Sequence, residues 1–124
     1  MVNRLRLTPS PSSVGDARRF CREWLDTEGC SGSHEVVALL VSELVTNVVL
    51  HARTACELEV SRAGSRIRVS VTDEDERLPV RKDLDPEAGS GRGLVLLHAM
   101  STTTGVDLVP GGKQVWFEVD CRPS

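Results

Sequence analysis

The sequence predicts an α+β fold, a two-layer sandwich with a mixed or antiparallel sheet covered on one face by three helices. Three observations lead there. Helical and strand-like segments are mixed without strict βαβ alternation. The strand-like segments come in pairs, joined by Arg62-Ala63-Gly64-Ser65 and by Pro110-Gly111-Gly112, which is hairpin spacing. One helical segment is apolar nearly all round, so it must be buried nearly all round, and a sheet is the surface that can bury it. The 124 residues are expected to form one domain, 1–124, with enough core to be stable without a metal or disulfide staple.

Each element follows from local signals. Val2, Leu5 and Leu7 alternate with polar residues until Thr8-Pro9-Ser10-Pro11, marking an edge strand from Asn3 to Leu7. Ser12-Ser13 offers an N-cap to an amphipathic helix from Val14 to Glu28, where Val14, Ala17, Phe20, Cys21, Trp24 and Leu25 recur at helical spacing before Gly29. Ser31-Gly32-Ser33 is expected to cap the apolar helix, His34 to His51. Leu58 and Val60 in Cys56 to Ser61 then face Ile67, Val69 and Val71 in Arg66 to Thr72. From Asp73 to Ser90 the periodicity vanishes, and so long a loop in a small domain is usually functional or mobile. Gly91-Arg92-Gly93 opens a third helix through Met100, and strands around Thr102 to Leu108 and Lys113 to Val119 close the chain.

Composition narrows the function. A net charge of -3 and a pI near 5.6 offer no basic field, so nucleic acid is not expected as a direct partner. No apolar run approaches the roughly 20 residues of a membrane span, and no apolar signal core follows Met1, so a cytoplasmic protein without membrane contact is expected. Cys21, Cys30, Cys56 and Cys121 are widely separated and form no CxxC pair, so they are expected as reduced thiols rather than zinc ligands.

Three features need a chemical reason. On the apolar helix Glu43, Asn47 and His51 fall at i, i+4 and i+8, with Thr46 beside Asn47, forming one polar stripe. A solvent edge would favour Lys, Arg and several Glu, whereas this stripe offers small polar groups and one carboxylate. Glu plus Asn on one face can supply a general base and an oxygen ligand for Mg²⁺. His51 alone reads as a capping or packing residue at a helix end.

Gly89-Ser90-Gly91-Arg92-Gly93 lets the backbone come close to a ligand, and the helix behind it presents unpaired N–H groups to an anion such as phosphate. Arg92 could reach that phosphate; a plain hinge is the competing reading. Asp73, at a strand end, can accept a hydrogen bond from an exocyclic amine or can bond its own backbone. Glu74, Asp75 and Glu76 behind it read as a solvated loop.

In this order and spacing, ELVTNVVLHA on a helix, VTDEDERLP after a strand and GSGRGLVLL opening a helix, the features are specific together. The chain resembles the GHKL ATPase superfamily, the Bergerat fold shared by gyrase-type topoisomerases and sensor histidine kinases. Within it, the likeness is to the small anti-sigma-factor serine/threonine kinase branch in its stand-alone actinobacterial form, from Val14 through the closing GGKQVWFEVD.

The resemblance implies an ATP site. It makes Glu43 the general base, Asn47 the holder of the Mg²⁺ that bridges the ATP phosphates, and Asp73 the acceptor from the adenine amino group. Gly89, Gly91 and Gly93, with Arg92 and Leu94 among them, would wrap the triphosphate, and catalysis would be positioning plus charge neutralisation. The implied partners are an anti-anti-sigma protein of the STAS fold, phosphorylated on serine or threonine, and a sigma factor held inactive. A homodimer is common in this branch, and apolar residues on the first helix could serve it.

The chain departs from the family in two places. Glu74-Asp75-Glu76-Arg77 stands where glycines usually follow the aspartate, and Gln114 stands where the last box often carries threonine. The acidic run favours an alternative, a non-catalytic protein-interaction module with a weakened or lost ATP site, while intact Glu43 and Asn47 favour the kinase. The catalytic half of a two-component histidine kinase is a poor match, since the chain has no room for a dimerisation domain with a phosphoacceptor histidine. A metal hydrolase is poorer still, with His34, His51 and His98 scattered.

Overall fold

The computed structural model describes residues 2–76 and 100–123. Five strands, β1 (Asn3–Leu7), β2 (Cys56–Ala63), β3 (Arg66–Asp73), β4 (Thr103–Val109) and β5 (Gly112–Asp120), form one sheet in the order β1-β2-β3-β5-β4. All its pairings are antiparallel. The β2–β3 and β4–β5 hairpins turn through Gly64 and Gly111, at φ 62° and 79°, a backbone region that side chains disfavour.

Strand alternation selects the buried face. Leu58, Val60, Ile67, Val69, Val71, Phe117 and Val119 are all buried. The register sets Leu58 opposite Val71, Val60 opposite Val69, and Val69 opposite Phe117, so one apolar surface runs across three strands. Among the described residues two helices, α1 (Ser12–Thr27) and α2 (His34–Asn47), supply the covering layer with Ala17, Cys21, Trp24 and Leu25 from α1 and Val37, Leu40, Val41, Leu44 and Val45 from α2. Each large apolar side chain buried this way contributes about 1.5–3 kcal/mol. The helix expected to begin at Gly91, with Leu94 and His98, lies outside the described residues up to Met100.

The continuous helical stretch Ser31–Ala52 has 22 residues and a mean hydropathy of 1.6, so by length and composition it could cross a membrane. That corrects the expectation that no apolar run reaches this length. Here Val37, Leu40, Val41, Leu44, Val45 and Val48 are packed into the core, whereas Leu39 and Leu50 are exposed, so the helix is buried along one face rather than nearly all round.

The expected serine caps do other work. The α1 helix already begins at Ser12, and the Ser13 hydroxyl donates to the Thr8 carbonyl at 2.7 Å. Ser31–Ser33 is a 3-10 turn, and the Ser33 hydroxyl turns away from the helix to donate to the Asp120 carbonyl at 3.0 Å and accept from the Arg122 N–H at 2.9 Å. At its other end α2 stops at Asn47, and Val48–Ala52 widens into a π turn closed by Arg53, whose N–H donates to the Val48 carbonyl at 2.7 Å.

Cys30 and Cys121 are joined in a disulfide, which corrects the expectation of four reduced thiols. Their separation of 91 residues hides the pairing, but the exit of β5 runs directly against the α1–α2 link. There the Gly32 N–H donates to the Arg122 carbonyl at 2.7 Å, and a Cβ on Gly32 would lie 2.5 Å from the Pro123 carbonyl oxygen, a contact only glycine allows. Cys21 and Cys56 are free and buried. Burial pushes the Cys21 thiol up to about 12 and the Cys56 thiol up to about 11, the latter helped by the nearby Asp73 charge.

Candidate functional site

Glu43 and Asn47 lie one turn apart on α2, and both are half-buried. Regular pitch holds as far as Asn47; the π turn then carries His51 off the stripe, where it is exposed. The Oδ1 atom of Asn47 is buried and has no hydrogen-bond partner among the described residues. Such an orphan costs about 1–3 kcal/mol and calls for a ligand or a reason. An amide oxygen beside a carboxylate suits Mg²⁺, which takes few protein oxygens and completes its shell with water and phosphate. The residues present therefore fit that ion.

Asp73 ends β3 on the helix-facing side and is buried. Its position is tied to the end of α2 by two links. Cys56, reached a few residues after the π turn, pairs in register with Asp73, and the Glu74 N–H donates to the Thr54 hydroxyl at 3.0 Å. Asn47 and Asp73 thus belong to the same end of the sandwich, with Glu43 one turn further along α2. The Asp73 Oδ1 also accepts from the Asp75 N–H at 2.8 Å, so the ordinary backbone-bonding role of a loop aspartate is present as well.

Lys113 was not singled out by the sequence, and it faces Asp73 across the β3–β5 register. Its Nζ lies 2.9 Å from Asp73 Oδ2, in an ion pair with little solvent access. Gln114, the residue expected at this place, points to the opposite face and donates to the Thr72 hydroxyl at 3.1 Å. Alternation decides between them. Phe117 is buried on the helix side, so position 113 shares its face and position 114 does not. A lysine in step with Val115, Phe117 and Val119 was the available signal.

Two residues of the acidic run have partners across the sheet. Glu74 is exposed and pairs with Arg6 of β1 at 3.4 Å, and the carbonyl of Asp75 accepts from Lys113 at 3.3 Å. The glycines Gly89, Gly91 and Gly93, with Arg92 and Leu94, lie outside the described residues. A separate groove of about 280 Å³ opens between α1 and the start of α2, lined by Arg18, Arg19, Arg22 and His34 among others. It sits at the far end of α2 from Asn47.

The sequence profile of the histidine kinase-like ATPase domain matches residues 7–119. The chain belongs to the histidine kinase-like ATPase family. Solved structures share the fold. The chain resembles the RsbU and RsbW domains of Rv1364c from Mycobacterium tuberculosis, with a TM-score of 0.75 and 20% identity, covering 100% of this chain and 33% of that one. It also resembles the histidine kinase domain of the blue-light-activated histidine kinase EL346 from Erythrobacter litoralis, with a TM-score of 0.56 and 23% identity over 72% of this chain and 45% of that one. This chain therefore spans about a third of the first structure and under half of the second. No curated protein matches it significantly. Within this family, the antiparallel sheet, the first two of the three expected helices and the GHKL assignment made from the sequence are all present.

Proposed function

We propose that this histidine kinase-like ATPase domain is an ATP-binding regulator of the anti-sigma type, a cytoplasmic serine/threonine kinase acting on a STAS-type partner and holding a sigma factor inactive. The observation that carries the reading is the buried, unpartnered Oδ1 of Asn47, one turn from Glu43 at the Asp73 end of the sandwich. Asn47 would hold Mg²⁺, which when bound neutralises charge on the phosphates. Asp73 would accept from the base, and Glu43 would orient the attacking hydroxyl and take its proton as the oxygen bonds to the γ-phosphorus and the bond to ADP breaks. Gly89, Gly91, Gly93, Arg92 and Leu94 would enclose the triphosphate.

The test is calorimetric titration with ATP and Mg²⁺. Micromolar binding is expected in the native chain and in Glu43→Ala, with loss of the Mg²⁺-dependent part in Asn47→Ala. Phosphotransfer to a STAS protein should vanish in both variants. Equal affinity in the native chain and Asn47→Ala would defeat the site.

A second reading, a non-catalytic interaction module, is favoured by the groove between α1 and α2. Arg18 and Arg22 there have no ion-pair partner among the described residues, and two free guanidinium groups one turn apart suit an acidic protein surface. Absence of nucleotide binding, with a partner captured through those arginines, would select this reading.

A further inference from the structure

Lys113 brings an ammonium group onto the apolar side of the sheet. Its side chain is only 11% exposed, and that of Asp73 only 3%. Two of its three N–H donors are accounted for, by Asp73 Oδ2 at 2.9 Å and by the Asp75 carbonyl at 3.3 Å. The third has no partner among the described residues.

The carboxylate is similarly part-used. Oδ1 accepts from the Asp75 N–H and Oδ2 from Lys113, so each oxygen keeps a lone pair. A spare donor and a spare acceptor therefore stand side by side, at the end of the sandwich that holds Asn47. Their backbones are fixed by the Asp73–Lys113 register and by Gly112, whose close approach to the Asp73 carbonyl leaves no room for a Cβ.

Such an adjacent pair complements one edge of adenine, where the exocyclic amino group donates and the neighbouring ring nitrogen N1 accepts. Given the reading that Asp73 meets the base, on which this inference rests, we propose that Lys113 is a second base-recognition residue, its Nζ donating to adenine N1 while Asp73 accepts from the amino group. The ion pair stays intact when the base is bound, so neither charge is left alone in the interior. In the same pose guanine would set its N1–H against the ammonium and its carbonyl against the carboxylate.

The experiment is a cycle of two nucleotides and two proteins. Mg²⁺–ATP and Mg²⁺–1-deaza-ATP, in which C–H replaces N1, are titrated into the native chain and into Lys113→Met, with Asn47→Ala as the control for the site. The native chain should bind 1-deaza-ATP about tenfold to a hundredfold more weakly than ATP, the range for a hydrogen bond to a charged donor. Lys113→Met should bind both nucleotides equally. If the native chain binds the two equally while Asn47→Ala still loses ATP, Lys113 does not read the base and the site reading stands. If Lys113→Met weakens both nucleotides but keeps the native preference, its role is structural and the proposal fails. If the native chain binds neither, the site reading and the proposal fall together. Should Lys113→Met fail to fold, the comparison of the two nucleotides on the native chain decides alone.

Discussion

The backbone of Gly112 passes so close to Asp73 that a Cβ at position 112 would collide with the Asp73 carbonyl oxygen. Because Lys113 follows directly, this contact sets how the first residues of β5 approach the end of β3. Gly112→Ala must therefore push the strand ends apart, at a cost of about 1–3 kcal/mol for an overpacked position. A lowered urea midpoint with weakened nucleotide binding is expected. An unchanged midpoint would mean that the hairpin end yields freely.

Asn47 sets stability against function. Its orphaned oxygen is a standing cost, so Asn47→Leu should leave the ligand-free chain equally stable or more stable by about 1 kcal/mol. The same variant should lose Mg²⁺-dependent nucleotide binding. Chemical denaturation beside titration checks both halves, and a large loss of stability would show that the amide is structural.

Much of the candidate site is legible in the sequence. The i, i+4 relation of Glu43 and Asn47 is local, so a helical pattern suffices to place them together. His51 escaped because the π turn that displaces it has no local residue signature. Lys113 escaped for another reason. Alternation tells which residues share a face, but which face looks inward and which residue meets Asp73 is settled by pairing with β3, some forty positions away. The Cys30–Cys121 bond is longer-range still, and the argument from composition and compartment pointed away from it.

Removing that disulfide should be costly. In the loop-entropy account, a crosslink closing a loop of this length contributes between about 3 and 5 kcal/mol. Cys121→Ser is expected to lower the melting temperature by roughly 10–20 °C, and reductant should lower the native chain to the same value. Insensitivity to reductant would show that Ser33 and Gly32 hold the segment without help. Cys21 and Cys56 should resist alkylation at pH 8 until the chain unfolds, since burial keeps both as thiols.

On the open face, Glu118 should make stability fall in acid. The Thr103 hydroxyl, at 2.6 Å, does most to hold its carboxyl below its ordinary value; burial opposes it, and Arg66 and Arg68 add further lowering. A carboxylate with a depressed folded value stabilises fully above the unfolded value of about 4.5 and loses that contribution as the pH falls through the lower folded one. Glu118→Gln should therefore be less stable than the native chain at pH 7, with the gap closing below pH ~4. A gap independent of pH would assign the effect to packing with Trp116 and Arg68.

The Cys30–Cys121 bond also turns most of the molecule into a covalent ring. Everything from α2 to β5 lies within it, while β1 and α1 form an arm outside. A chain pulled by its two ends can then pay out only the arm and the last few residues, about 110 Å of extended backbone, against about 420 Å once the bond is cut. Under load the oxidised protein would give up its first strand and helix and keep the Asn47–Asp73 end inside a loop that force cannot open.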